Sequence, residues 1–220
     1  MSMNESTMNL LDFDRIKSLD ELSGEQIEFL KQCMYNHDVL VRFDTIELLG
    51  RLEQNETAIR LLRQLMWDKN EIIASEACEA LRLIGNERCI DALKKRVNAR
   101  STIVRGCAII SIADLCVSFH YSIDDTKKFF KTRMKREKSA WVLSHYGCAM
   151  YLLGEKEYIN LLLQGLCSKD YHVRAATVSL IKDFVLGDEQ AMKSVGTYVS
   201  KHMNKTSREY EALIEVLRLD

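Results

Sequence analysis

Few residues in this chain have the types and spacing that chemistry requires. His145 and Cys148 lie three apart, so on a helix the imidazole and the thiol would share a face. Cys107 is a second thiol that could be imagined beside that histidine. Nothing else marks an activated thiol, and both cysteines fall among small apolar residues, where a free cysteine behaves as a hydrophobe. Asp124 and Asp125 are paired carboxylates, but Ser122 followed by Asp125 reads better as the start of a helix. "KKFFKTRMKREK" (Lys127–Lys138) sets seven positive charges against Glu137. It is either a contact for phosphates or the solvated face of a helix whose Phe129, Phe130 and Met134 point to a core. The chain has no Gly-rich phosphate loop, no GxSxG elbow, no HExxH and no CxxC pair. No catalytic, metal-binding or cofactor-binding residues are assigned.

Composition bounds the elements that would have to position any site. Of 220 residues 47% are hydrophobic and 29% charged, which suits one packed domain or two with a polar surface. No apolar run approaches the roughly 18 residues of a membrane span. The seven cysteines are odd in number and unpaired in spacing, which fits a reduced, cytoplasmic protein. Residues 1–22 carry neither a basic nor a long apolar segment and are expected to be a weakly ordered leader or capping helix. There is no proline, where average usage of about 5% would give about eleven. Proline breaks helix interiors, so its absence, with only nine glycines, predicts helices joined by short turns.

Those helices repeat. Counting from Val41, Ile73, Val104, Val142 and Val173, apolar residues recur at positions 0, 4, 7–8 and 11, one face of an amphipathic helix. The starts are 32, 31, 38 and 31 residues apart. Three residues before each stands Asp38, Asn70, Ser101, Ser139 or Asp170, all side chains able to cap a helix N-terminus. Between them lie other amphipathic segments, expected over Glu25–Tyr35, Thr57–Met66, Cys89–Val97, Ile123–Met134, Glu157–Leu166 and Glu189–His202, with Tyr210–Leu217 as a degraded last copy. Ser23 and Gln26 make a capping box for the first. A helix pair of this size cannot bury its apolar face alone, but a stack of them builds one core.

The units resemble HEAT repeats of the short, phycobilisome-lyase-like type, whose second helix reads "D..VR..AA..LG". The best matches are "HDVLVRFDTIELLG", "NEIIASEACEALRLIG" and "KDYHVRAATVSLI", and the resemblance spans roughly 25–186. It implies an all-α α-solenoid of about five to six HEAT-like helix pairs, a right-handed superhelical stack forming a single domain over 23–220. The arginine after the first apolar position is present as Arg42, Arg105 and Arg174 but replaced by Ala74 and Leu143. In HEAT repeats it usually joins an aspartate in a ladder between neighbours, so a ladder here would be interrupted. The tryptophan and proline positions of tetratricopeptide repeats, and the T-P-L-H of ankyrin repeats, are absent.

The HEAT-like group includes scaffolds, a bilin lyase class, an iron-dependent hydroxylase and alkylpurine DNA glycosylases. The hydroxylase would need His-Glu pairs, and none of the five histidines is in one. The glycosylases would need a cationic concave face bearing aromatic and acidic residues. Trp67 and Trp141 sit at helix boundaries where core packing or repeat junctions account for them, and the net charge is −1. Charge is unevenly placed, however: residues 1–91 carry a net −8 and residues 92–220 a net +7. In a stack this becomes a dipole along the long axis, able to orient a partner. The resemblance places second helices on the inner curve. There Asp44, Glu47, Glu76 and Glu79 form an acidic patch, assisted by Arg51 and Arg82. The patch grades into a less polar strip at Cys107, Ile110, His145 and Cys148. The expected function is a non-enzymatic scaffold, adaptor or inhibitor whose concave face binds a basic protein. The alternative is nucleic-acid binding through residues 94–100 and 127–138, namely Lys94, Lys95, Arg96, Lys127, Lys128, Lys131, Arg133, Lys135 and Arg136.

Overall fold

A computed structural model of the chain describes residues 22–203 and 206–217. Among them every regular element is helical. The first helices of six successive pairs are α1 (Gly24–Met34), α3 (Glu56–Leu65), α5 (Ile90–Arg96), α7 (Ile123–Met134), α9 (Ile159–Leu166) and α11 (Glu189–His202). Their partners are α2 (Val39–Leu49), α4 (Glu71–Ile84), α6 (Thr102–Ser118), α8 (Ala140–Leu152), α10 (Tyr171–Phe184) and α12 (Arg208–Leu217). Short 3-10 turns, Glu87–Cys89 and Lys156–Tyr158, lead into α5 and α9. The leader expected over 1–22 lies outside the described residues except for Leu22.

The start signals act largely as their chemistry dictates. Asp38, Asn70, Ser139 and Asp170 each accept a hydrogen bond from a first-turn N–H of α2, α4, α8 and α10. Ser23 and Gln26 close the capping box on α1. Two signals differ. Ser101 precedes α6 but makes no capping bond, and its hydroxyl oxygen is buried without a partner. Ser122 starts α7 from a left-handed backbone, φ 54°, which turns its side chain away from the capping role. Gly154 ends its unit at φ 95°, a conformation that favours glycine.

The pairs share one core running from Leu30 in α1 to Leu213 in α12. Each second helix packs directly on the next, α2 on α4 and so on to α10 on α12, whereas first helices meet one another only thinly, chiefly at α1–α3 and α9–α11. Closer spacing along one side of a stack bends it toward that side. The α-solenoid therefore curves toward its second helices. The bend is tight: the Arg82 guanidinium of α4 lies 5.5 Å from the ring centroid of Phe184 at the end of α10, three second helices along.

Ionic clamps tie neighbouring pairs at the turns within them. Arg42 Nε lies 3.1 Å from Asp68 of the next pair, and Arg105 pairs with Glu137 of its next pair at 3.0 and 3.2 Å. Both arginines also donate to carbonyls of their own turn, Asn36 O and Ala99 O, and Arg174 does the same to Ser168 O. With Ala74 and Leu143 in the intervening pairs, the ladder is interrupted where the sequence predicts.

Candidate partner-binding surface

The inner face carries the four carboxylates singled out from the sequence. Asp44 and Glu47 of α2 are exposed, and Glu76 and Glu79 of α4 are half-buried. Stacking of α4 on α2 brings three of them into one field. The Glu76 carboxyl is pushed above the usual range, first by burial and then by the negative charges of Glu79 and Glu47. Two arginines offset part of this charge. Arg51 meets Glu47 at 3.3 Å on the exposed surface, and Arg82 holds Glu79 at 3.0 Å and Asp114 of α6 at 3.2 Å. Arg82 is thus engaged on three sides by its own chain, counting Phe184. Asp44 and Glu76 pair with no cation among the described residues.

The less polar strip is not open surface. Ile110 and Cys148 are buried, His145 is 6% exposed, and Cys107 is half-buried. The bend explains the difference, because successive second helices close over one another's middle positions. Gly106 of α6 makes this approach workable, since a Cβ there would lie 2.3 Å from the Trp141 ring and 2.8 Å from that of His145. Trp141 stacks on His145 with centroids 3.8 Å apart, and His145 Nδ1 donates to the Trp141 carbonyl at 2.8 Å. Burial pulls the imidazole down to about 4 and pushes the Cys148 and Cys107 thiols well up. A reactive thiol beside a histidine needs both shifts in the opposite direction. These three residues are packing, not a nucleophile and its base.

The basic residues of the alternative set separate into held and free. Lys127 and Lys131 of α7 meet Glu155 at 3.2 and 2.7 Å, and Lys128 meets Asp125 at 3.5 Å. Arg133 donates to Asn98 at 2.7 Å and lies over Phe129, as does Lys94, which also reaches Asp91 at 3.7 Å. Lys95, Lys135 and Arg136 are exposed, and Arg96 stacks on Trp67 at 4.5 Å. Phe130 is buried, with Phe129 and Met134 packed against the core. Of core and repeat junction, Trp67 takes the junction, stacked on Arg96 of the next pair with 53% of it exposed. It follows α3 in a turn, off the apolar face of that helix.

All seven cysteines are free thiols. Among the described residues, no group of three or more His, Cys, Asp or Glu side chains is arranged to hold a metal. No described helix is long and apolar enough to cross a membrane.

Residues 18–115 match the family model of HEAT repeats. That stretch carries HEAT repeats. The match ends within α6, and helix pairs continue the array through α12. No curated protein is significantly similar to the chain in sequence. Among solved structures, the complex of CpcE and CpcF of phycocyanin lyase from Nostoc sp. PCC7120 is similar at 13% identity, with 100% of this chain and 99% of that one covered and a TM-score of 0.44. Two engineered proteins are similar at 15% and 16% identity, covering 97% and 88% of this chain and 66% and 96% of theirs, with TM-scores of 0.39 and 0.38. Likenesses at this level say nothing of what a HEAT-repeat chain binds.

Proposed function

We propose that the protein is a non-enzymatic scaffold, adaptor or inhibitor that binds a basic segment of another protein on its inner face. Asp44, Glu47, Glu76 and Glu79 are the contacts, and Arg51 helps to orient them. The observation that carries this reading is Glu76. A half-buried carboxylate next to two more, with no cation of its own, costs the folded chain stability. A lysine or arginine from a partner would remove that cost, and the gain appears only on binding. One form of this function is masking a basic partner, as an immunity-type inhibitor does.

Affinity capture with the full chain tests the proposal, followed by titration of the purified captured protein against wild type and a variant with all four carboxylates changed to lysine. These positions face away from the core, so helicity by circular dichroism should be unchanged. Binding is expected to weaken at least about tenfold and to be salt-sensitive in the wild type. Equal affinity of the two proteins would dispose of the surface.

A further inference from the structure

The turns within the pairs form a second surface, on the edge of the stack and apart from the inner face. Trp67 stands at its centre. On one side the indole walls a cleft of about 220 Å³ with Tyr35, which is 75% exposed, and Lys69. On the other it walls a cleft of about 390 Å³ with Arg60, Arg63 and Lys95. Arg96, stacked on the indole, leads into a third cleft of about 610 Å³ that also takes in Lys69, Arg100 and Ser101. Two clefts therefore meet at one exposed tryptophan, and the third adjoins them through Arg96 and Lys69.

The charge around them is one-sided. Arg60, Arg63, Lys69, Lys95 and Arg100 are exposed and make no ion pair among the described residues. Of the two acidic residues lining these clefts, Asp68 is taken by Arg42 and Glu71 lies in the first turn of α4, where the helix dipole favours it. Arg96 Nε and Ser101 Oγ, both on residues lining the largest cleft, are buried without a hydrogen-bond partner. Buried polar atoms normally have one. The edge thus offers unspent donors, unspent positive charge and flat aromatic surface together.

We propose that this edge binds a single-stranded nucleic acid, with phosphates between the free cations and a base stacked against Trp67. Phosphate supplies several acceptor oxygens for the guanidinium and hydroxyl donors. An indole among cations is the arrangement that takes an unpaired base. A duplex keeps its bases stacked inside and would leave Trp67 unused. An acidic peptide would use the charge but not the ring. This surface shares no residue with the carboxylate face, so either reading can fail alone.

The test is fluorescence anisotropy of the full chain with labelled oligothymidylate and oligouridylate of about 20 nucleotides in about 50 mM salt. Binding of at least one strand is expected, with affinity falling linearly in the logarithm of salt concentration. Trp67→Ala should weaken it about tenfold and leave the salt slope unchanged. The triple variant Arg63→Glu, Lys95→Glu and Arg100→Glu, all at exposed positions, should reduce the slope by about two. Circular dichroism keeps a folding defect apart from a binding defect. The proposal is overturned by no binding to either strand, by a triple variant that binds like wild type, by a Trp67→Ala variant that does so, by equal affinity for duplex, or by poly-glutamate displacing the strand at equal charge.

Discussion

Replacing Gly165 with alanine is expected to destabilise the protein by about 2–3 kcal/mol, although alanine is the better helix former by about 1 kcal/mol. Gly165 lies in α9 where it meets α8 and α10. A Cβ there would fall 2.4 Å from the hydroxyl of Thr177 and 2.6 Å from that of Ser144. Those hydroxyls are 3.2 Å apart and join α8 to α10, and each also reaches a carbonyl one turn back, Val173 O at 2.7 Å and Ala140 O at 3.1 Å. Thr177 is β-branched and fully buried, so it has little freedom to turn aside. The methyl group must either push the helices apart or drive the two hydroxyls out of their places, at the expense of the bridge and of the carbonyl bonds beside it. Urea unfolding measures the cost. In the background Ser144→Ala with Thr177→Ala both oxygens are gone and the methyl group fills their space, so the same substitution should become neutral or slightly stabilising. A Gly165→Ala penalty of the same size in both backgrounds would show that the clash lies elsewhere.

This contact also marks where the sequence stops being legible. The pairs could be read because a cap and a 3.6-residue period are local properties, decided within one turn of helix. The α11 boundaries, Glu189–His202, follow from that alone, with Asp188 capping the first turn. How one pair is rotated on the next depends on the fit of many side chains at once, and no short stretch encodes it. For that reason the nearness of Arg82 to Phe184 was not visible, nor the burial of His145 and Cys148 at positions that a shallower curve would expose. The four carboxylates were legible as a set because α2 and α4 are adjacent pairs, where even a rough stack places their outward positions side by side. The basic run of α7 stayed open between two readings for the opposite reason. Its partner, Glu155, follows α8, and only the fold brings it within reach of Lys127 and Lys131. The aromatic edge at Trp67 was missed because a residue at a helix boundary has no period to assign it to a face.

Acidification from pH 7 to about pH 4 is expected to remove about 3 kcal/mol of stability through His145 alone. Burial is the main cause of its lowered affinity for a proton, opposed in part by the Trp141 carbonyl that accepts from Nδ1. In the unfolded chain the imidazole regains its usual value near 6.5. Between that value and about 4 the unfolded chain holds a proton that the folded one refuses, so stability falls as pH drops through this window. Glu76 works in the opposite sense. Its carboxyl is raised in the folded state, so protonation relieves strain and acid favours folding through that group. A single acid-unfolding curve would mix the two. The difference between wild type and His145→Asn separates them, because an asparagine amide can still donate to the Trp141 carbonyl and every carboxylate is unchanged. Urea midpoints for the pair should move toward one another only if His145 is buried neutral; the gap should change by about 3 kcal/mol across the window. A gap that stays constant from pH 7 to 4 would mean that His145 reaches water in the folded chain. The second helices would then not close over their middle positions, and the inner face would be as open as a shallow curve makes it.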